Sequence, residues 1–237
     1  MKPSVLITGA YGGMGKATAE ALAQRGYRVF ALDRTVGEAR EEIIPVEADL
    51  TDENSVITAY QKIRGMTDSL YAILHFAGIY MLDSLLEMER ESFERIFKIN
   101  LGGAFLVNKT FFPLLRPGSR ILITTSELAP LDPLPFTGIY AVTKGALDTY
   151  AYSLRMELQL KNIEVSVLRA GAVDTGMLGV STAALDRFHQ KTQLYSCNAE
   201  RFRRIVNQVE ARCISPQTLA RKVIRILHKK RYQSTTV

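Results

Sequence analysis

The sequence predicts an α/β fold, a doubly wound parallel sheet of six to seven strands flanked by helices, with one domain covering residues 1–237. Three observations carry that reading. Short β-rich apolar runs alternate along the chain with longer stretches of helical period. Runs such as Val5-Leu6-Ile7 and Ile121-Leu122-Ile123 are apolar without alternation, as strands covered on both faces require. The 237 residues are 47% hydrophobic and 23% charged, which supports a full core without disulfides and excludes disordered, collagenous or coiled-coil chains.

The expected strands are 4–8, 28–33, 43–47, 70–76, 120–125 and 164–169, joined by right-handed crossovers. Helices are expected near 13–25, 52–64, 90–111 and 138–161, then over 199–211 and 216–230. The first strand runs through a glycine-rich turn into a helix, the second ends on Asp33, and the fourth leads into Ala77-Gly78. Residues 176–215 mix small, charged and apolar types without a clean period and are read as a partly helical excursion, a lid. Residues 232–237 are either a short seventh strand or a frayed end.

No run approaches eighteen apolar residues, so no transmembrane segment is expected. Met1-Lys2-Pro3-Ser4 leads straight into a strand, without an apolar signal core. Cys197 and Cys213 lie too far apart for a CxxC site, and His75, His189 and His228 lack metal-ligand spacing. No metal is expected, and the cytoplasm is the default compartment. The net charge of +6 is uneven, with ten Lys/Arg and the single acid Glu210 from residue 201 onward. A solvated helix face accounts for that asymmetry, with an acidic partner or an anionic surface as the alternative. No aromatic series interleaves the basic residues, so nucleic acid is not an expected partner.

Thr8 closes the first strand and is followed by Gly9-Ala10-Tyr11-Gly12-Gly13-Met14-Gly15. Glycines between strand and helix let the backbone approach a pyrophosphate, and the helix start turns unpaired N–H groups toward that anion. Asp33 ends the next strand, where a carboxylate suits the ribose hydroxyls of NAD. The extra phosphate of NADP would meet it as a like charge, at about 4 kcal/mol per charge pair for ~4 Å and a dielectric near 20. NAD is therefore the expected cofactor, with NADP as the alternative through phosphate capture by Arg34.

Tyr140 and Lys144 stand four apart at the start of a predicted helix and so share a face. A phenol ionises near pH 10, but an ammonium at ~4 Å contributes about 4 kcal/mol, roughly three pKa units. One lysine could bring such a tyrosine into the working range of a general acid/base.

Thr8-Gly9-x-x-x-Gly13-x-Gly15, Asp33, Asp49-Leu50, Ala77-Gly78, Asn100, Ser126 and Tyr140-x-x-x-Lys144 follow in the order of the short-chain dehydrogenase/reductase family, which the chain resembles over essentially its whole length. The resemblance implies a Rossmann-type, NAD(P)-dependent oxidoreductase acting on a small-molecule alcohol or ketone. Tyr140 would be the general acid/base, with Lys144 also holding the nicotinamide ribose. Ser126 would bond the substrate oxygen, and Asn100 would keep a water in a proton relay. The implied cofactor contacts are Thr8, Gly9, Gly13, Met14, Gly15, Asp33, Arg34, Asp49, Leu50, Ala77, Gly78, Gly171, Val173 and Thr175, besides Asn100, Tyr140 and Lys144. Asp49 would contact the adenine and Thr175 the carboxamide.

This sequence departs from the family pattern in places. His75-Phe76-Ala77-Gly78 replaces Asn-Asn-Ala-Gly, and His75 is read as a satisfied core histidine. Ser126 precedes Tyr140 by 14 residues instead of 13, with Thr125 as the fallback, and Ala170-Gly171 replaces Pro-Gly.

Met177, Leu178, Val180, Leu185, Phe188, Leu194, Tyr195 and Phe202, with Met81, Leu82, Leu85 and Leu86 opposite, either line an apolar cleft for a steroid-like substrate or form ordinary core. The alternative enzyme is a 3-oxoacyl-carrier or coenzyme A reductase using Arg201, Arg203 and Arg204. A non-catalytic dinucleotide sensor or scaffold is the alternative of another class. The resemblance also implies a homodimer or homotetramer through helices 90–111 and 138–161, with Phe105, Phe111, Phe112, Tyr150 and Tyr152 available.

Overall fold

The first strand, β1 (Ser4–Thr8), lies mid-sheet, and all five of its residues are buried. The computed structural model describes residues 2–129, 135–198, 201–202, 204, 213–229 and 234–236, with backbone alone for 177–182 and 234–236. After β1 come α1 (Gly13–Ala23), β2 (Arg28–Asp33), β3 (Ile43–Glu47), α2 (Glu53–Arg64) and β4 (Leu70–His75). The second half holds α3 (Arg90–Phe97), α4 (Gly103–Phe111), β5 (Leu115–Ser126), α5 (Gly138–Leu158), β6 (Glu164–Ala170), α6 (Gly176–Lys191), α7 (Pro216–Leu227) and β7 (Ser234–Thr236). Every strand pairing is parallel, in the order β3-β2-β1-β4-β5-β6-β7.

Because successive strand residues point to opposite faces, each unbroken apolar run feeds two cores at once. Leu6, Phe30, Ile73 and Ile121 pack on one face with Val107 of α4 and Leu147 of α5. Val5, Ile7, Val29 and Leu122 pack on the other with Leu22 of α1 and Val223 of α7. From β1 the order runs outward in both directions, and the switch between β1 and β4 places a crevice at their carboxyl ends.

Helix ends follow local chemistry. Asp52 caps α2 by accepting from the Asn54 N–H, and Ser215 caps α7 by accepting from that of Thr218, with Pro216 in the first turn. Beyond α5 the chain turns at Asn162, with φ 55°, a left-handed conformation that asparagine tolerates.

Four sequence expectations change. The helix expected over 90–111 is interrupted by a π-helical turn at Lys98–Gly102, because the Asn100 side chain is drawn onto the backbone of Ile79. The excursion after β6 opens with a regular 16-residue helix, α6. Strand β5 starts at Leu115, ahead of the expected 120, with a register shift stitched by the Ser119 hydroxyl, which donates to the Leu70 carbonyl. Phe111 is fully buried and Tyr150 accepts from Asn108, so neither is spare for an interface. The expected helix 199–211 lies largely outside the described residues, and the seventh strand is present as β7.

His75 ends β4 at 4% exposure, and its Nε2 donates to Asn108 Oδ1 at 2.9 Å. Asn108 Nδ2 donates in turn to the Tyr150 hydroxyl at 3.1 Å, so one polar chain joins β4, α4 and α5. Burial holds the imidazole down to about 4, and it stays neutral in the fold. An unfolded histidine takes its proton near 6.5, so stability is full above that value and falls as pH drops toward about 4. We expect this group alone to remove on the order of 2 kcal/mol between pH 7 and 5. Denaturant unfolding at both pH values checks it: wild type should lose more on acidification than His75→Gln.

Candidate active site

At Gly9 the backbone turns with φ +66°, and an added Cβ would stand 2.6 Å from the Ala77 nitrogen. The turns after β1 and β4 therefore touch only because residue 9 has no side chain. At Gly15 a Cβ would lie 2.1 Å from the Gly9 carbonyl oxygen, which packs the first turn of α1 against the loop. Helix α1 starts behind Gly12, which offers no side-chain cap, and its first turn has no acid. A helix start left uncapped behind a glycine loop is the arrangement a pyrophosphate fits. Met14 is half-buried there, and the Thr8 hydroxyl bonds the Ala77 N–H at 3.4 Å.

Opposite lies the segment after β6. Thr175 closes over the cradle, its Cγ2 2.4 Å from where a Cβ on Gly13 would be. Val173 is buried and pairs with Ile214, and the Ile214 N–H bonds the Ala172 carbonyl, which anchors the 171–175 turn. At the other end, Asp33 accepts the Tyr11 N–H at 3.0 Å and the Arg34 N–H at 2.8 Å, which fixes its carboxylate beside the cradle. Arg34 itself is exposed. Asp49 Oδ1 takes both the N–H and the hydroxyl of Thr51, and these bonds hold its carboxyl below the usual carboxylate range. Leu50 packs toward Gly103 and the core.

Tyr140 and Lys144 share the first turns of α5 beside Ser126 at the end of β5. The Ser126 hydroxyl is hydrogen-bonded to the Tyr140 phenol. Lys144 Nζ donates to the Thr124 carbonyl at 3.2 Å and lies 5.8 Å from the Tyr140 ring centroid. A methyl added at Gly78 would stand 3.2 Å from Asn100 Oδ1 and 3.5 Å from Lys144 Nζ, so both groups converge on the turn after β4. Asn100 accepts the Ile79 N–H at 2.8 Å and donates to its carbonyl and to the Thr143 hydroxyl. The fold thus brings Asn100, Ser126, Tyr140 and Lys144 together. Thr125 is not among them, because its hydroxyl donates to Asp148, which also pairs with Arg169.

The charge balance differs from the pairwise expectation. Enclosure pushes the Tyr140 phenol up to about 12, with the neighbouring Tyr80 phenol adding to the rise and the Ser126 bond opposing it. Burial also brings the Lys144 ammonium down to about 8. The lysine ammonium is bonded to the Thr124 carbonyl and lies over the ring, 5.8 Å from its centroid, and desolvation dominates the phenol.

Beside this centre lies a third, smaller core. Leu82, Leu185, Phe188 and Phe202 are buried together, with Tyr80, Phe136 and Tyr195 against them. Phe136 has φ 63°, a costly left-handed conformation for a bulky residue, and its ring lies 4.3 Å from that of Phe188. Leu85, Leu86 and Leu194 are exposed, Met81 is half-buried, and the side chains of Met177, Leu178 and Val180 lie outside the described residues. Arg201 and Arg204 are exposed, and Arg203 also lies outside. Sequence reasoning missed Thr143, which its i+3 spacing from Tyr140 could have flagged, and Tyr80, for which no periodic signal exists.

Comparison with known proteins matches residues 3–186 to the short chain dehydrogenase family. A versicolorin reductase of Emericella nidulans is 31% identical over 183 residues, covering 73% of this chain and 69% of that one. A short chain dehydrogenase family protein from Francisella tularensis superposes with a TM-score of 0.82 at 24% identity, over 97% of this chain and 93% of its own. The 3-ketoacyl-(acyl-carrier-protein) reductase from Brucella melitensis, solved with NADH, gives a TM-score of 0.79 at 21% identity, over 99% and 96%. With the glycine cradle, the paired strand ends and a match over most of its length, the chain belongs to the short-chain dehydrogenase family of oxidoreductases, enzymes that act on alcohol and ketone groups.

Proposed function

We propose that this protein is an NAD(H)-dependent oxidoreductase that interconverts a lipophilic, steroid-like secondary alcohol and its ketone, with Tyr140 as the general acid/base. The observation that carries the reading is the convergence of Ser126, Tyr140, Lys144 and Asn100 on the Gly78 turn, at the strand ends that also carry the cradle. The catalytic domain is the chain 1–237, with 176–215 as its substrate lid.

The nicotinamide of a bound dinucleotide carries the hydride and, when oxidised, brings positive charge to the site. The rest falls to the chain. Ser126 holds the substrate oxygen, and Tyr140 gives its proton to that oxygen as the ketone is reduced, or takes it back on oxidation. Lys144 and Asn100 keep a path for recharging the phenol. Thr8, Gly9, Gly13, Met14 and Gly15 take the pyrophosphate, and Ala77, Gly78, Gly171, Val173 and Thr175 enclose the nicotinamide end. Asp33 supports NAD over NADP, since its fixed carboxylate suits ribose hydroxyls and repels a phosphate, while Arg34 leaves NADP as the weaker alternative. Asp49 and Leu50 border the adenine.

The substrate reading rests on the apolar lid core. The exposed Arg201 and Arg204 favour a second reading, a 3-oxoacyl-carrier or coenzyme A reductase, as does the Brucella neighbour. Phe105, Phe112, Tyr152 and Met156 stand 42–55% exposed on α4, the turn after it and α5, which supports a homodimer or homotetramer through these helices. No helix among the described residues is long and apolar enough to cross a membrane. Two exposed free cysteines, Cys197 and Cys213, suit a reducing cytoplasm.

NADH absorbance with a panel of steroid, aliphatic and 3-oxoacyl ketones tests the activity. Tyr140→Phe should keep NADH binding and lose turnover about a hundred- to ten-thousand-fold; normal turnover in that variant would end the assignment. Asp33→Ala should narrow the preference for NAD over NADP by about tenfold, read as the ratio of kcat/KM values. With the phenol held well above 10, ketone reduction should stay flat through neutral pH while alcohol oxidation climbs with pH. Oxidation already level at pH 7 would mean that the charge of the bound oxidised nicotinamide outweighs the enclosure of the phenol.

A further inference from the structure

Tyr80 holds a position that neither the family pattern nor the sequence spacing assigns. Its ring meets the Tyr140 ring at 5.0 Å between centroids and 60° between planes, an edge contact between two aromatics. Its backbone is no looser than its ring. The preceding residue, Ile79, is gripped at both its N–H and its carbonyl by the buried Asn100 side chain, at 2.8 and 3.0 Å. On its other side Tyr80 packs against the lid core of Leu82, Leu185, Phe188 and Phe202.

The segment that carries Tyr80 is also the one that fastens the lid. Glu87 accepts the Thr192 hydroxyl and the N–H groups of Gln193 and Leu194, at 2.7, 2.8 and 3.1 Å, just beyond the end of α6. Asp83 pairs with Lys191 of α6, and its N–H bonds the Phe136 carbonyl ahead of α5. A shift of the lid therefore reaches the Tyr140 phenol through one ring. We propose that Tyr80 is a positioning residue, fixing the orientation of the Tyr140 phenol and coupling it to the packing of α6 and the small core beside it.

The groups facing that phenol are Ser126 from β5, Lys144 from its own helix and Tyr80 from the turn after β4, with the Asn100 amide reaching the same turn. Tyr80 is the member of this set that also touches the lid core. Its phenol opposes ionisation of Tyr140, so its loss would ease the proton off as well as free the ring.

The catalytic part of this inference rests on the proposed role of Tyr140, so the test has two arms. In the first, the NAD⁺-bound protein carries tyrosine labelled with ¹³C at Cζ, and the Tyr140 resonance is assigned by its absence in Tyr140→Phe. That resonance should stay narrow in Tyr80→Phe and broaden or split in Tyr80→Leu, with thermal unfolding confirming that both variants fold. Glu87→Ala should broaden it too if the lid is coupled. An unchanged Tyr140 signal in Tyr80→Leu overturns the proposal, and an unchanged one in Glu87→Ala overturns its lid coupling.

The second arm uses a ketone from the panel that wild type reduces. Tyr80→Leu should lower kcat about tenfold or more with the KM for NADH unchanged, and Tyr80→Phe should recover most of it. A rise in ketone KM alone would make Tyr80 a substrate contact and overturn the positioning role. If Tyr140→Phe retains turnover, the acid/base reading fails, yet the resonance arm still decides whether Tyr80 orients that ring.

Discussion

Two turns of backbone meet at Gly9 and Ala77 with no side chain between them, and the crevice exists because they can. Strands β1 and β4 are neighbours in the sheet, and it is between them that the chain changes its direction of winding. Their carboxyl ends are held at van der Waals distance by a residue whose φ suits glycine. From that contact the rest of the site is laid out: α1 begins one turn later, and Gly78 brings Asn100 and Lys144 within reach of the same spot. An alanine at residue 9 would carry a strained backbone conformation and push the turns apart, damaging both ends of the crevice together.

Desolvation governs the chemistry inside. The expectation that a lysine one turn away lowers the tyrosine treats the pair as if in a uniform medium. Here both groups are enclosed and each is driven toward its neutral form, the phenol up and the ammonium down. A neutral phenol is the form that gives a proton, which is what the role proposed for Tyr140 in carbonyl reduction asks of it. In the proposed alcohol oxidation the phenol would first have to lose its proton, and the positive charge of an oxidised nicotinamide would ease that loss.

The layered sheet was legible because buried parallel strands leave an unmistakable residue pattern, and a parallel sheet covered by helices on both faces follows from it. The glycine loop and the Tyr140/Lys144 pair were legible because each depends on local spacing. What escaped was tertiary in origin. The π-helical turn at Lys98–Gly102 reflects a side chain reaching across to Ile79, about twenty residues away, and no window along the helix contains that partner. Tyr80 meets Tyr140 across sixty residues, and Phe136, with its left-handed φ, packs on rings from α6 and beyond. Regular α6 was hidden by a composition in which small and charged residues blur the period.

The sheet order also governs how the chain is made. Strand β1 is made before the other strands of the sheet, yet it needs β4 on one side, and β4 in turn lies unpaired on its outer edge until β5 has emerged, near residue 126. For that interval the nascent protein presents the open edge of an apolar strand, Leu70–His75, to its surroundings. Parallel pairing cannot be hastened by a hairpin, and β1, β4 and β5 must each wait for the helices that lie between them in the chain. Synthesis of the middle third of the chain is thus its period of greatest exposure to aggregation, and the point at which a chaperone has most to cover.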